Sequence, residues 1–145
     1  MSDFIGRYLN KVDKKGRISV PASWRPKLVG ENFSGIIAQT SIVEKAIEAY
    51  PKNYLEILQS KLDQNDPLLE KNEYESTIIF GGSVLSFDNE GRVVLPESSR
   101  KEANIHSEAL FVGMGRRFRI WEPIVFEDYL KRARTYMDKR RQNND

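Results

Sequence analysis

"VDKKGRISVPASWR" (residues 12–25) returns 75 positions later as "FDNEGRVVLPESSR" (residues 87–100). At that offset Asp13 aligns with Asp88, Gly16 with Gly91, Arg17 with Arg92, Pro21 with Pro96, Ser23 with Ser98 and Arg25 with Arg100. Six identities in fourteen positions, where unrelated stretches share about one, mark an internal duplication. Ile18/Val93 and Val20/Leu95 are conservative pairs. A looser match follows downstream, where "YPKNYLEIL" (50–58) resembles "WEPIVFEDYL" (121–130) through Pro51/Pro123, Tyr54/Phe126 and Leu58/Leu130. Each half is therefore expected to be a turn unit, a short connecting element, more strand, and a helix opened by Pro.

The repeated stretch has a physical reading as a hairpin. Tyr8, Asn10 and Val12 fall on one side of a strand with Leu9 and Lys11 on the other, and Ile18 and Val20 resume the alternation after the turn. Asp13 at the turn entry is placed to accept backbone N–H groups one to three residues on, and Gly16 supplies a positive φ; Asp88 and Gly91 repeat the arrangement. Arg17 leaves just past the glycine with its guanidinium expected to reach outward. Pro21 and Pro96 end the strands, having no N–H for a ladder, and "PASWR" and "PESSR" begin short helical turns.

Three further helices are expected. In "PKNYLEILQSKL", Tyr54, Leu58 and Leu62 share a face and predict a core-facing amphipathic helix. A second starts with Asp66 as cap and Pro67 at its first position, has Glu70 near the positive end of its dipole, and stops at Gly81-Gly82. The last runs from Pro123 through Phe126, Leu130 and Ala133, then thins into a basic tail that frays at its end. The implied organisation is a first repeat over residues 7–53, a helical connector over 54–81, a second repeat over 82–125, and a C-terminal helix and basic tail over 126–145.

With 145 residues, the chain suits one domain or two small halves around a shared core, able to bury about 70% of its unfolded surface. It has no cysteine, hence neither disulfide framework nor thiolate chemistry, which fits a reducing cytoplasm. No apolar run approaches the ~18 residues of a membrane span, and the N-terminus lacks a signal-peptide layout. The net charge of +2 conceals segregation: residues 1–30 carry seven Lys/Arg against two Asp/Glu, residues 31–90 four against eleven, and residues 91–145 twelve against eight.

One histidine, His106 in a polar loop, and no cysteine exclude most zinc sites and any Cys/His nucleophile arrangement. "GMGRRF" (113–118) lacks the third glycine and the following helix of a phosphate-binding motif. No metal, cofactor, catalytic residue or small-molecule substrate is expected. Lys14, Lys15 and Arg17, three cations within four residues of a turn tip, suit nucleic acid: all can meet phosphates, and Arg can fork onto guanine O6/N7. The second turn has Asn89 and Glu90 in place of the lysines, so the halves are not equivalent. Arg92 either contacts DNA or pairs with a carboxylate of the fold, and in "RRFR" (116–119) Arg117 and Arg119 would share one side of a strand and could simply be solvated.

The doubled D-x-x-G-R followed by x-x-x-P, with "ALFVGMGRRFRIWEP" (109–123) after the second copy, resembles the MraZ family of bacterial transcription regulators, within the AbrB/SpoVT-type DNA-binding superfamily. The similarity runs from about Phe4 to near Arg134 and leaves the tail outside. It implies an α+β fold of duplicated, swapped-hairpin β-barrel halves with flanking helices, assembled into a ring-shaped homo-oligomer of octamer or dodecamer type. It implies binding to double-stranded promoter DNA at direct repeats, with repression of the division and cell-wall gene cluster and of the protein's own gene, in the cytoplasm at the nucleoid. Carried onto this chain, the DNA-contacting positions are Lys15 and Arg17, joined by Lys14 from the charge reading and Arg92 from the second copy. Asp13, Gly16, Asp88 and Gly91 shape the turns. The competing expectation is an AbrB-like, antitoxin-type protein-binding module whose acidic helices engage a basic partner.

Overall fold

Neither turn closes an ordinary hairpin. Val12 and Ile18 make a single antiparallel bridge, after which the arms part. Strand β1 (Arg7–Lys11) pairs with β7 (Glu108–Gly113) of the second repeat, while β2 (Arg17–Ser19) pairs with β6 (Arg92–Val94). The computed structural model, which describes residues 3–144, completes the pattern with β3 (Gly35–Thr40), β4 (Ile47–Tyr50), β5 (Ser83–Ser86) and β8 (Phe118–Trp121). All the pairings are antiparallel, in a six-stranded sheet of order β1-β7-β8-β4-β3-β5 and a two-stranded ribbon β2-β6.

That order reads the same from both edges. The opening strand of each repeat lies beside the third strand of the other, and the two fourth strands meet at the centre. A pseudo-two-fold axis passes between Ile18 and Val93 in the ribbon and between Glu48 and Arg119 in the sheet, because each of these facing pairs joins equivalent positions of the repeats. The fold is thus the expected α+β duplication with exchanged hairpin arms. Alternation in the strands assigns the layers: Ile18, Val20, Val93 and Leu95 turn inward onto Ile47, Ala49, Phe118 and Ile120 of the sheet. Trp24, 1% exposed, fills the middle, edge-on to Phe4 at 5.3 Å and to Tyr8 at 5.4 Å, with Phe118 at 4.9 Å. Its counterpart in the second repeat is Ser99, so the core is heavier on one side.

The helices depart from expectation in several ways. Helix α1 (Tyr54–Asp63) forms, but none of its residues is fully buried; Tyr54, Leu58 and Leu62 are only half covered. Helix α2 spans Glu70–Phe80 with Leu69 at its cap, so it starts three residues later than a cap at Asp66 would place it. The Asp66 carboxylate instead accepts the Leu68 N–H at 2.9 Å, which closes a turn, and Leu69 is extended before the helix begins. The stop at Gly81 holds. Of the two Pro-led turns, the first becomes a 3-10 turn at Arg25–Leu28 and the second helix α3 (Glu97–Glu102). Helix α4 (Pro123–Asn143) carries the basic tail as continuous helix. Glu122 caps it by accepting the Ile124 N–H, and Phe126 and Tyr129 pack on Trp121. No helix is long and apolar enough to cross a membrane among the described residues.

Arg119 of β8 is buried rather than solvated, while Arg117, just before the strand, is partly covered. Arg119 is 5% exposed, and both pair with Glu48, at 3.0 and 3.1 Å.

Candidate nucleic-acid interface

The two turns are built alike. Asp13 Oδ1 accepts the N–H groups of Lys15 and Arg17, both at 2.9 Å, so the bonds fall two and four residues on rather than one to three. The Gly16 N–H closes onto the Asp13 carbonyl at 2.9 Å. Asp88 repeats this with Glu90 and Arg92 at 2.8 and 3.0 Å. These backbone donors, Arg17 and Arg92 foremost, hold both carboxyls below the ordinary carboxylate range.

Gly16 and Gly91 sit at φ 83° and 75°, in the left-handed region that penalises a side chain. Space makes the same demand at Gly16, where a Cβ would lie 2.9 Å from the Leu95 carbonyl oxygen. That carbonyl also accepts Arg100 Nε at 3.0 Å, and Arg25 Nη1 donates to the Glu90 carbonyl at 3.2 Å. Arg25 therefore reaches the turn of the opposite repeat, and Arg100 packs beside the other turn's Gly16. Sequence reasoning assigned neither arginine a role. Their recurrence at the 75-residue offset was the available signal.

The Arg17 guanidinium is not wholly free, as expected, but tethered: its Nε donates to Asp13 Oδ2 at 2.6 Å. Among the described residues no acceptor meets its two Nη groups, and the side chain is 36% exposed. Arg92 is tied likewise to Asp88 at 2.9 Å, and its Nη2 lies 3.6 Å from Glu90; these two acids keep it firmly protonated, Asp88 most of all. Of the two arginines, Arg17 alone keeps both ends of its fork open toward solvent.

The ribbon assembles these side chains. Ile18 and Val93 face the core, so Arg17 and Ser19 of β2 and Arg92 and Val94 of β6 stand on the outer face, with Arg17 opposite Val94 and Ser19 opposite Arg92. The pairing extends from Gly16/Leu95 to Val20/Gly91, which puts the two turns at opposite ends of the ribbon, about 14 Å apart along it. Lys14 and Lys15 are exposed at one end, Asn89 and Glu90 at the other. A pair of strands with outward arginines has the width that enters a major groove, where an Arg fork matches guanine. Elsewhere, His106 is exposed and bonded to Asn104 at 3.1 Å. Among the described residues no group of His, Cys, Asp or Glu is arranged to hold a metal ion.

Comparison with known proteins adds to this geometry. The family model described as "MraZ protein, putative antitoxin-like" matches residues 4–75 and 78–144, carrying the likeness through the basic helix rather than ending near Arg134. A protein named transcriptional regulator MraZ from Rickettsia canadensis (strain McKiel) is 47% identical over 134 residues, 92% of this chain and 90% of the relative. Those of Rickettsia akari (strain Hartford) and Rickettsia bellii (strain OSU 85-389) are each 44% identical, covering 97% of this chain and 95% of their own.

Proposed function

The chain belongs to the MraZ family of transcriptional regulators, and on that premise we propose that it binds double-stranded promoter DNA through the β2-β6 ribbon. One observation carries the reading: Arg17 stands on the outer face of a two-stranded ribbon, anchored by Nε to Asp13 with both Nη groups open, beside exposed Lys14 and Lys15. Anchoring reduces the freedom the fork loses when it meets a base edge. Lys14 and Lys15 supply phosphate contacts. Arg92, drawn toward Asp88 and Glu90, contributes less, so the asymmetry of the two turns is functional.

A single ribbon with about three contacts binds weakly and is salt-sensitive. Several copies joined in a ring-shaped homo-oligomer make later contacts intramolecular and raise avidity by about 10²–10⁴. Head-to-tail rotation presents each ribbon in the same sense, which suits direct repeats rather than palindromes. The regulator acts as a non-enzymatic repressor of the division and cell-wall gene cluster and of its own gene, in the cytoplasm at the nucleoid. Residues 7–53 and 82–125 serve as the two DNA-facing repeats, and 54–81 and 126–145 as connecting and C-terminal helical parts.

The test is an anisotropy titration of duplex DNA from immediately upstream of the protein's own gene. Arg17→Ala should lose about 1–3 kcal/mol of specific affinity while keeping its fold; unchanged affinity rejects the assignment. A second reading, a protein-binding module, draws on the exposed acidic surface of α1 and α2, which includes Glu56, Asp63, Glu70 and Glu73. Stoichiometric capture of a basic protein, with no shift of upstream DNA at low salt, would favour it.

A further inference from the structure

At the sheet end of the pseudo-two-fold axis, on the face turned away from the ribbon, two guanidinium groups share one carboxylate. Glu48 Oε1 accepts from Arg117 Nη1 at 3.0 Å and Arg119 Nε at 3.1 Å, while Oε2 accepts from Arg119 Nε at 3.1 Å and Ser41 Oγ at 2.8 Å. Glu48 is therefore saturated, and one positive charge is left over. The Arg119 side chain is only 6% exposed, yet among the described residues no acceptor bonds its two Nη groups. Its guanidinium carbon lies near the Trp121 and Tyr129 rings, at 5.8 and 5.7 Å; these faces favour a cation but supply no oxygen acceptor.

This cluster lines a cleft of about 300 Å³ between α1, α2 and the β4-β8 centre of the sheet. Arg117, Arg119 and Lys61 outnumber the carboxylates Glu48 and Glu75 along its walls. Among the described residues no buried polar side-chain atom lacks a partner, so the unbonded Nη groups of Arg119 are open to solvent. There an anion can replace water and supply the missing counter-charge. We propose that the cleft is a binding site for a small oxyanion, a molecule bearing a carboxylate or phosphate group, held by the free Nη groups of Arg119 and by Arg117 with Lys61 at the mouth. The volume admits a molecule of a few heavy atoms, not a nucleic-acid strand. A ligand there does not compete with DNA for the ribbon, and the inference does not depend on the DNA reading.

Isothermal titration calorimetry with inorganic phosphate and with succinate, at constant ionic strength set by chloride, tests it. One saturable site per chain is expected for at least one probe, with Kd at or below about 1 mM. Arg117→Ala, at a side chain already 34% exposed, should keep the fold and weaken binding at least tenfold. Arg119→Lys, which keeps the charge but loses the fork, should weaken it too. Arg17→Ala should bind as the parent does, which separates this site from the ribbon. Absence of saturable binding by both probes overturns the proposal, as does equal binding by the parent and Arg117→Ala.

Discussion

Asp13 does three things at one position: it closes the turn, fixes the backbone of Lys15 and Arg17, and holds Arg17 by its Nε. Its carboxyl, like that of Asp88, is held below its ordinary value chiefly by the backbone N–H four residues on. A depressed folded value means stability that is present above the unfolded pKa of about 3.9 and is lost as pH falls through the folded one. Urea unfolding should therefore show the two turns weakening only below about pH 4, and the Asp13→Asn/Asp88→Asn pair should lose stability at pH 7 but show a shallower decline on acidification than the parent. Parallel pH profiles would count against this role. Lys14 and Lys15, exposed and unanchored, have a different signature: each change to Ala should lower the slope of log affinity against log salt by about one without altering preference among DNA sequences. The turn-shaping roles of the aspartates and glycines were legible because they are local. The Arg17 tether was not, since an i,i+4 pair across a turn requires the fold of that turn to be known.

At the scale of elements, the alternation of apolar residues identified β1 and β2 around the first turn and the inward face of β2, and it is silent on partners. The same Ile18 and Val20 pattern serves a closed hairpin or an arm crossing to the other repeat; only the packing of both halves around Trp24 selects the second. Helix α2 shows a local competition, with the Asp66 side chain spent on the Leu68 N–H and the helix starting later. The ribbon depends on close approach at Gly16. Gly16→Ala, placing a Cβ against the Leu95 carbonyl at φ 83°, should cost about 1–3 kcal/mol in chemical denaturation and weaken DNA binding in proportion to the loss of folded ribbon.

Duplication within one chain gives the whole molecule something a symmetric pair of identical repeats could not have. Glu48 and Arg119 are equivalent positions that face each other; with identical repeats like charges would meet there, whereas divergence places opposite ones in contact. Their partnership was invisible in the sequence because 71 positions separate them. Glu48→Ala leaves Arg119 buried without a counter-charge and should cost about 3–5 kcal/mol, read from the shift of the urea midpoint. The same divergence made one turn basic and the other acidic, which is the basis for assigning DNA contact mainly to the first. Because the chain contains no cysteine, a single Lys15→Cys change creates a unique attachment point for a photo-crosslinker, with Ser60→Cys on exposed α1 as the reference. With duplex DNA from immediately upstream of the protein's own gene, the crosslink should form from position 15 and not from position 60; efficient crosslinking from position 60 with none from position 15 would contradict the account.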